Sequence, residues 1–197
     1  MAKKDTRVRN WTFVLYPESA PENWRDLIDE LHVPWIESPL HDKDLNADGT
    51  PKKAHWHILL IFKGKKSFEQ IKSITDAFSA PIPQPCDDTT GLVRYFAHLD
   101  NPEKYQYSRS DIVGHCGANV GDLLRASSAE RYQFIDDMME FIKSNHITEF
   151  QDLADYARYN EPDTWFPLLC DNSAFIVNQY IKSQRHRYAA SAGVIDD

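Results

Sequence analysis

The chain of 197 residues is 42% hydrophobic and 26% charged, enough for one good core and a smaller second unit. No apolar run nears the ~20 residues that span a bilayer, and the charged start Met1-Ala2-Lys3-Lys4-Asp5 lacks a signal peptide's apolar core, so a cytoplasmic protein is expected. The formal charge of −8 disfavours a nucleic-acid partner only on average: residues 1–120 hold 15 Lys/Arg against 17 Asp/Glu, and residues 121–197 hold 7 against 13.

In chain order, Asn10 to Tyr16 alternates, with Trp11, Phe13 and Leu15 on one face, and predicts a strand. Pro17 and Pro21 turn the chain. Trp24, Leu27, Ile28 and Leu31 then recur at helical spacing, which predicts an amphipathic helix ending near His32. Trp35 to Leu40 reads as a short strand running into His41-Asp42-Lys43-Asp44. The polar loop Asn46 to Lys53, with Asp48-Gly49, leads into the apolar strand Ala54 to Phe62. Ser67 and Gln70 form a capping box for a helix with the stripe Phe68, Ile71, Ile74, Thr75 and Phe78. Pro81, Pro83 and Pro85 confine the next stretch to an extended or edge segment. Thr89 or Thr90 caps a helix to about Leu99, and Tyr105 to Val113 reads as a last, polar strand. The order βαββαβαβ predicts an α+β domain: a mostly antiparallel five-stranded sheet flanked by helices.

Gly114, Gly117 and Gly121 mark a shift in composition, and a domain boundary is expected after residue 120. Residues 121–197 read as a small all-α domain, with capping boxes at Ser127/Glu130 and Thr148/Gln151. Its stripes are Tyr132, Ile135, Met138, Met139 and Ile142, then Phe150, Leu153, Ala154 and Ala157. A third helix covers Phe175 to Arg187, and Ala189 to Asp197 reads as a frayed tail. Such an aromatic-rich helical unit suits assembly better than catalysis. Three cysteines without CxxC pairing, Cys86, Cys116 and Cys170, argue against disulfides and cysteine zinc sites.

The chemistry concentrates around Ala54-His55-Trp56-His57. Residues i and i+2 of a strand share a face, so His55 and His57 can share a metal ion while Trp56, Ile58, Leu60 and Phe62 bury the other face. If the two strands pair, His41, Asp44, His55 and His57 converge. Imidazoles with one carboxylate suit a divalent first-row metal and leave positions open for substrate oxygens. The competing reading is a pair of half-buried core histidines. A zinc hydrolase would want a glutamate base nearby, and these motifs contain none. Tyr95 shares a helical face with Leu92, His98 and Leu99. Lys52, Lys53, Lys63, Lys65 and Lys66 sit at strand ends, as a phosphate-binding surface or as ordinary solvated charge.

Four segments then occur in a familiar order and spacing: Thr12–Ser19 (TFVLYPES), Ser38–Asp44 (SPLHDKD), Lys52–His57 (KKAHWH) and Tyr95–His98 (YFAH). The chain resembles the rolling-circle plasmid replication initiators of the HUH endonuclease superfamily, in the RepB-like subgroup. The resemblance implies an origin-binding endonuclease domain on a ferredoxin- or RRM-like sheet, then a helical oligomerisation domain; a homo-oligomer, in the family a hexameric ring, is the implied assembly. It implies that His41, Asp44, His55 and His57 hold Mn²⁺ or Mg²⁺ and that Tyr95 is the nucleophile. The product would be a 5′-phosphotyrosine link and a free 3′-OH primer, with plasmid origin DNA bound as duplex and cut as single strand, and the strands rejoined at termination. Many superfamily relatives carry Lys three residues after the tyrosine; here the position is His98, a candidate for assisting deprotonation. Termination would use a second subunit, a water, Tyr105 or Tyr107. The lysines named above would touch phosphates, which position rather than specify. Two other readings stay open: a mobilisation relaxase, and a non-catalytic nucleic-acid-binding module with exposed aromatics.

Overall fold

The computed structural model describes residues 6–191; Lys3, Lys4 and the tail beyond Ser191 lie outside the described residues. Two compact units divide the chain, Met1–Arg125 and Ala126–Asp197. The first holds strands β1 (Val8–Leu15), β2 (Trp35–Glu37), β3 (Trp56–Lys66), β4 (Gln84–Pro85) and β5 (Val113–His115), and helices α1 (Trp24–Asp29), α2 (Phe68–Ala77), α3 (Thr89–Phe96) and α4 (Val120–Leu123). The five strands form one sheet in the order β4-β1-β3-β2-β5, antiparallel throughout.

The central strand β3 is covered on both faces, which explains its unbroken apolar run. Ile58, Leu60 and Phe62 join Trp11, Phe13, Leu15 and Trp35 beneath α1 and α2. Leu59 joins Ile36 on the other face, under Val93 and Phe96 of α3. His57 points to that second face by the two-residue period. It therefore meets the helix that carries Tyr95.

Several expectations need correction. Tyr105 to Val113 is not a strand: a 3₁₀ turn, Arg109–Asp111, intervenes, and pairing is confined to Val113–His115. The backbone and side chains before it are bound to the site instead of to a ladder. Helix α3 is capped by Asp88, whose carboxylate accepts from the Gly91 N–H at 2.8 Å, and not by Thr89 or Thr90. It stops at Phe96 because His98 adopts the left-handed conformation, φ +56°.

The second unit contains α5 (Ser128–Ser144), α6 (Phe150–Asn160), α7 (Trp165–Leu168) and α8 (Ala174–Ser191), with a π-helical segment at Leu169–Ser173. Its core gathers Met138, Ile142, Leu153, Ala157, Trp165, Val177 and Ile181. The capping boxes at Ser67/Gln70 and Ser127/Glu130 form. The one expected at Thr148/Gln151 does not: α6 starts after Glu149 without a side-chain cap. Tyr132, expected in the buried stripe, is 72% exposed, whereas Ile135, Met138 and Ile142 of that stripe join the core together with Phe134 and Phe141. Where a frayed tail was expected from Ala189, α8 continues through Ala189 and Ala190 to Ser191, and the rest of that expected tail lies outside the described residues. No helix of the described residues is long and apolar enough to cross a membrane.

Candidate active site

Pairing between β2 and β3 continues past Glu37 through a side chain. Ser38 N–H donates to the His57 carbonyl at 3.0 Å, and Ser38 Oγ accepts from His57 N–H at 2.8 Å. Beyond Pro39, His41 and His55 close an isolated antiparallel bridge, at 2.9 Å from His41 N–H to the His55 carbonyl and 3.4 Å in return. That register sets three imidazoles together. Ring centroids lie 4.9 Å apart for His55–His57 and His41–His57, and 5.4 Å for His41–His55.

Backbone carbonyls fix which nitrogen each ring offers. His41 Nε2 lies 2.8 Å from the Phe96 carbonyl oxygen, His55 Nδ1 2.8 Å from that of Lys53, and His98 Nδ1 2.8 Å from that of Tyr105. A carbonyl only accepts, so each of these nitrogens donates and the opposite nitrogen keeps a lone pair. His41 Nδ1, His57 Nε2 and His98 Nε2 are buried with no hydrogen-bond partner among the described residues. Asp44 completes the cluster: its Oδ2 lies 3.6 Å from His41 Nδ1 and 3.9 Å from His98 Nε2.

Protonation does not relieve this crowding at neutral pH. Burial outweighs the Phe96 hydrogen bond and the pull of Asp44 and brings His41 down to about 4. Burial first, and the positive charge of Lys52, bring His57 down to about 2. Both rings are neutral at pH 7. Neutral lone pairs and a carboxylate aimed at one another in a buried space are costly unless a cation sits among them. Ligand atoms of His41, His55 and His57, and of His41, Asp44 and His98, lie within 4.8 Å of one another. The residues fit a divalent ion.

Three features were not legible in the sequence. Tyr107 stacks on His41, with centroids 4.4 Å apart and planes 2° apart. Its hydroxyl donates to Asp44 Oδ1 at 3.1 Å and accepts from Lys43 N–H at 2.9 Å, so it orients the carboxylate. Burial first, and Asp44, push its phenol up to about 12 despite the Lys43 hydrogen bond. His98, named in the sequence as a neighbour of Tyr95 and a candidate for assisting its deprotonation, also shares the tautomer-fixing pattern of His41 and His55, which the sequence did not show. Lys104 donates from Nζ to Tyr95 Oη at 3.2 Å. All three come from the irregular stretch 97–107, which no periodicity announces.

Tyr95 is half-buried on α3, its ring against His57 (5.6 Å) and His98 (5.0 Å). The lysines separate. Lys52 and Lys53 sit beside the histidines, Lys53 paired with Glu18 at 2.7 Å and lying over Tyr16. Lys63, Lys65 and Lys66 lie toward the other end of β3: across β1, His57 pairs with Val14 and Lys66 with Val8, a separation of roughly 20 Å at ~3.3 Å per residue. The two groups therefore lie toward opposite ends of the strand.

Residues 3–121 match the family described as "Plasmid replication protein, origin binding domain", and residues 128–186 match "Replication protein RepB, C-terminal". A Replication protein of Staphylococcus aureus is 49% identical over 185 residues, 94% of this chain and 93% of its own length. A Replication protein RepB of Lactiplantibacillus plantarum is 46% identical over 187 residues, 93% of this chain and 85% of its own. One of Streptococcus agalactiae is 28% identical over 170 residues, covering 81% and 80%.

Proposed function

The chain belongs to the RepB family of plasmid replication proteins, with an origin-binding domain, and from that premise we propose that it starts rolling-circle replication by nicking one strand of the plasmid origin. The observation that carries the reading is the group of buried, unpartnered nitrogens of His41, His57 and His98, the first and last beside Asp44, with Tyr95 against the rings of His57 and His98. His41, Asp44, His55 and His57 hold a divalent ion, with His98 beside them. Such an ion, Mn²⁺ or Mg²⁺, supplies Lewis-acid polarisation of a phosphate oxygen. The mixed nitrogen and oxygen set favours Mn²⁺, since Mg²⁺ prefers oxygen ligands.

The residues divide the remaining work. Tyr95 Oη attacks phosphorus, an Oη–P bond forms and the P–O3′ bond breaks. The phenolic proton ends, through solvent, on the departing 3′ oxygen, leaving a 5′-phosphotyrosine and a 3′-OH that can prime synthesis. The carbonyls of Phe96, Lys53 and Tyr105 hold the imidazole tautomers, and Tyr107 orients Asp44. With its hydroxyl committed on both sides, Tyr107 is poorly suited as a second nucleophile. For termination that leaves Tyr105, which is 53% exposed, a second copy of the chain, or water. Similarity to proteins named for replication supports a replication origin over a transfer origin as the target.

The helical unit exposes Tyr159, Phe175 and Ile176, apolar surface that supports a role in self-association, with a ring of six as the family's form. The test of the whole reading uses a labelled single-stranded origin oligonucleotide with Mn²⁺. Wild type should give a covalent band and Tyr95→Phe none, with duplex origin affinity unchanged. A covalent band from the phenylalanine variant overturns the assignment.

A further inference from the structure

Nothing in the metal cluster accounts for Lys104. Its Nζ donates to Tyr95 Oη at 3.2 Å and lies 4.4 Å above the centre of the same ring. Among the described residues it makes no ion pair with a carboxylate, so its charge faces the phenol undivided. A long, flexible side chain held in one place is entropically unfavourable unless its surroundings fix it. Here they do. Arg94 grips Asp100 with two hydrogen bonds of 2.8 and 2.6 Å, tying α3 to the segment that follows. Asn101 N–H donates to the His98 carbonyl at 2.9 Å, and Lys104 N–H to the Asn101 carbonyl at 3.0 Å. The Gln106 amide donates to the carbonyls of both Asn101 and Lys104, at 2.9 and 3.0 Å. The turn from His98 to Gln106 is thus stapled so that its lysine returns to the helix it has just left.

We propose that Lys104 is a second catalytic residue of the strand-transfer reaction: its ammonium holds the Tyr95 oxygen in place and stabilises the negative charge that gathers there. This rests on the Tyr95 reading above. As Oη attacks, electron density shifts onto it before the Oη–P bond is complete, and a fixed donor 3.2 Å away meets that charge without reorganising. Lys104 keeps all its protons throughout; the phenolic proton still ends on the leaving 3′ oxygen. In the reverse, rejoining direction the same oxygen is the leaving group, so the ammonium stabilises its departure equally.

The experiment compares Lys104→Met, Lys104→Gln and Lys104→Arg in single-turnover adduct formation with a single-stranded origin oligonucleotide and Mn²⁺. Full-length protein is used, each variant with tyrosine or the more acidic 3-fluorotyrosine at position 95. Loss of a charge-stabilising donor costs roughly 10²-fold in preorganised sites, so Lys104→Met should slow the adduct by about ten- to a hundredfold. Lys104→Gln should recover little and Lys104→Arg most. The deficit should shrink in the fluorotyrosine protein, which needs less help to carry charge, while Mn²⁺ affinity by calorimetry stays unchanged. An undiminished rate in Lys104→Met, or an equal deficit with either phenol, overturns the role. Adduct formation by Tyr95→Phe is a different failure, because it removes the nucleophile itself.

Discussion

The metal-free protein should lose stability in mild acid, and the two strongly shifted histidines set the amount. His41 and His57 have folded values of about 4 and about 2 against 6.5 for an unperturbed ring. Their folded values are depressed, so the unfolded chain binds more protons below pH 6.5, and stability falls as the pH drops from there toward 4. Each ring's contribution approaches about 1.4 kcal/mol per pH unit only well below 6.5; between pH 6.5 and 5.5 the two together cost about 2 kcal/mol. For a unit of this size that is a fall in Tm of roughly 10 °C. Thermal melts followed by circular dichroism in EDTA, from pH 7.5 to 5.0, measure it directly. His57→Gln, which cannot titrate, should show about half the slope, and a double variant with His41→Gln little of it. Equal slopes in wild type and double variant would refute the burial argument, because some other group would then carry the protons.

Three further outcomes follow from the same geometry. Mn²⁺ at a hundred times its Kd should stabilise the wild type by about 2.7 kcal/mol; calorimetry should find one ion per chain and a much weakened isotherm for His57→Ala. Tyr107→Phe removes the hydroxyl between Asp44 and Lys43 N–H, so Mn²⁺ affinity should fall about tenfold or more with folding kept; unchanged affinity would mean Asp44 needs no orienting. Lys52→Ala with Lys53→Ala should lower the salt slope of origin binding by up to about two, independently of any change at Lys63, Lys65 and Lys66; an unaltered slope removes the first pair from the phosphate contacts.

What could be read in advance followed repetition. The two-residue period of a strand put His55 and His57 on one face, and the helical period put Tyr95 beside His98. Both signals survive because burial on each face enforces them. The capping boxes at Ser67 and Ser127 were equally legible, since they are local. The lost parts are governed by tertiary hydrogen bonds. Tyr105 to Val113 resembles a strand by composition, yet the Tyr105 carbonyl serves His98 and the Tyr107 hydroxyl serves Asp44. Lys104 lies nine residues after Tyr95 and reaches it only because His98 turns the chain back. Tyr132 fits the apolar stripe of α5, but a broad amphipathic face leaves its edge undecided until the neighbouring helices are in place.

The central claim is a tyrosine nucleophile beside a divalent ion held by His41, Asp44, His55 and His57. Trypsin cuts after Arg94 and Lys104, so the peptide 95–104 carries Tyr95 and no other tyrosine, while Tyr105 and Tyr107 fall in the next, 105–109. Mass spectrometry of digested protein–oligonucleotide adducts should find the nucleotide on peptide 95–104 with Mn²⁺ and on no peptide with EDTA. Label on peptide 105–109 instead, or an adduct that forms as well in EDTA, would contradict the account.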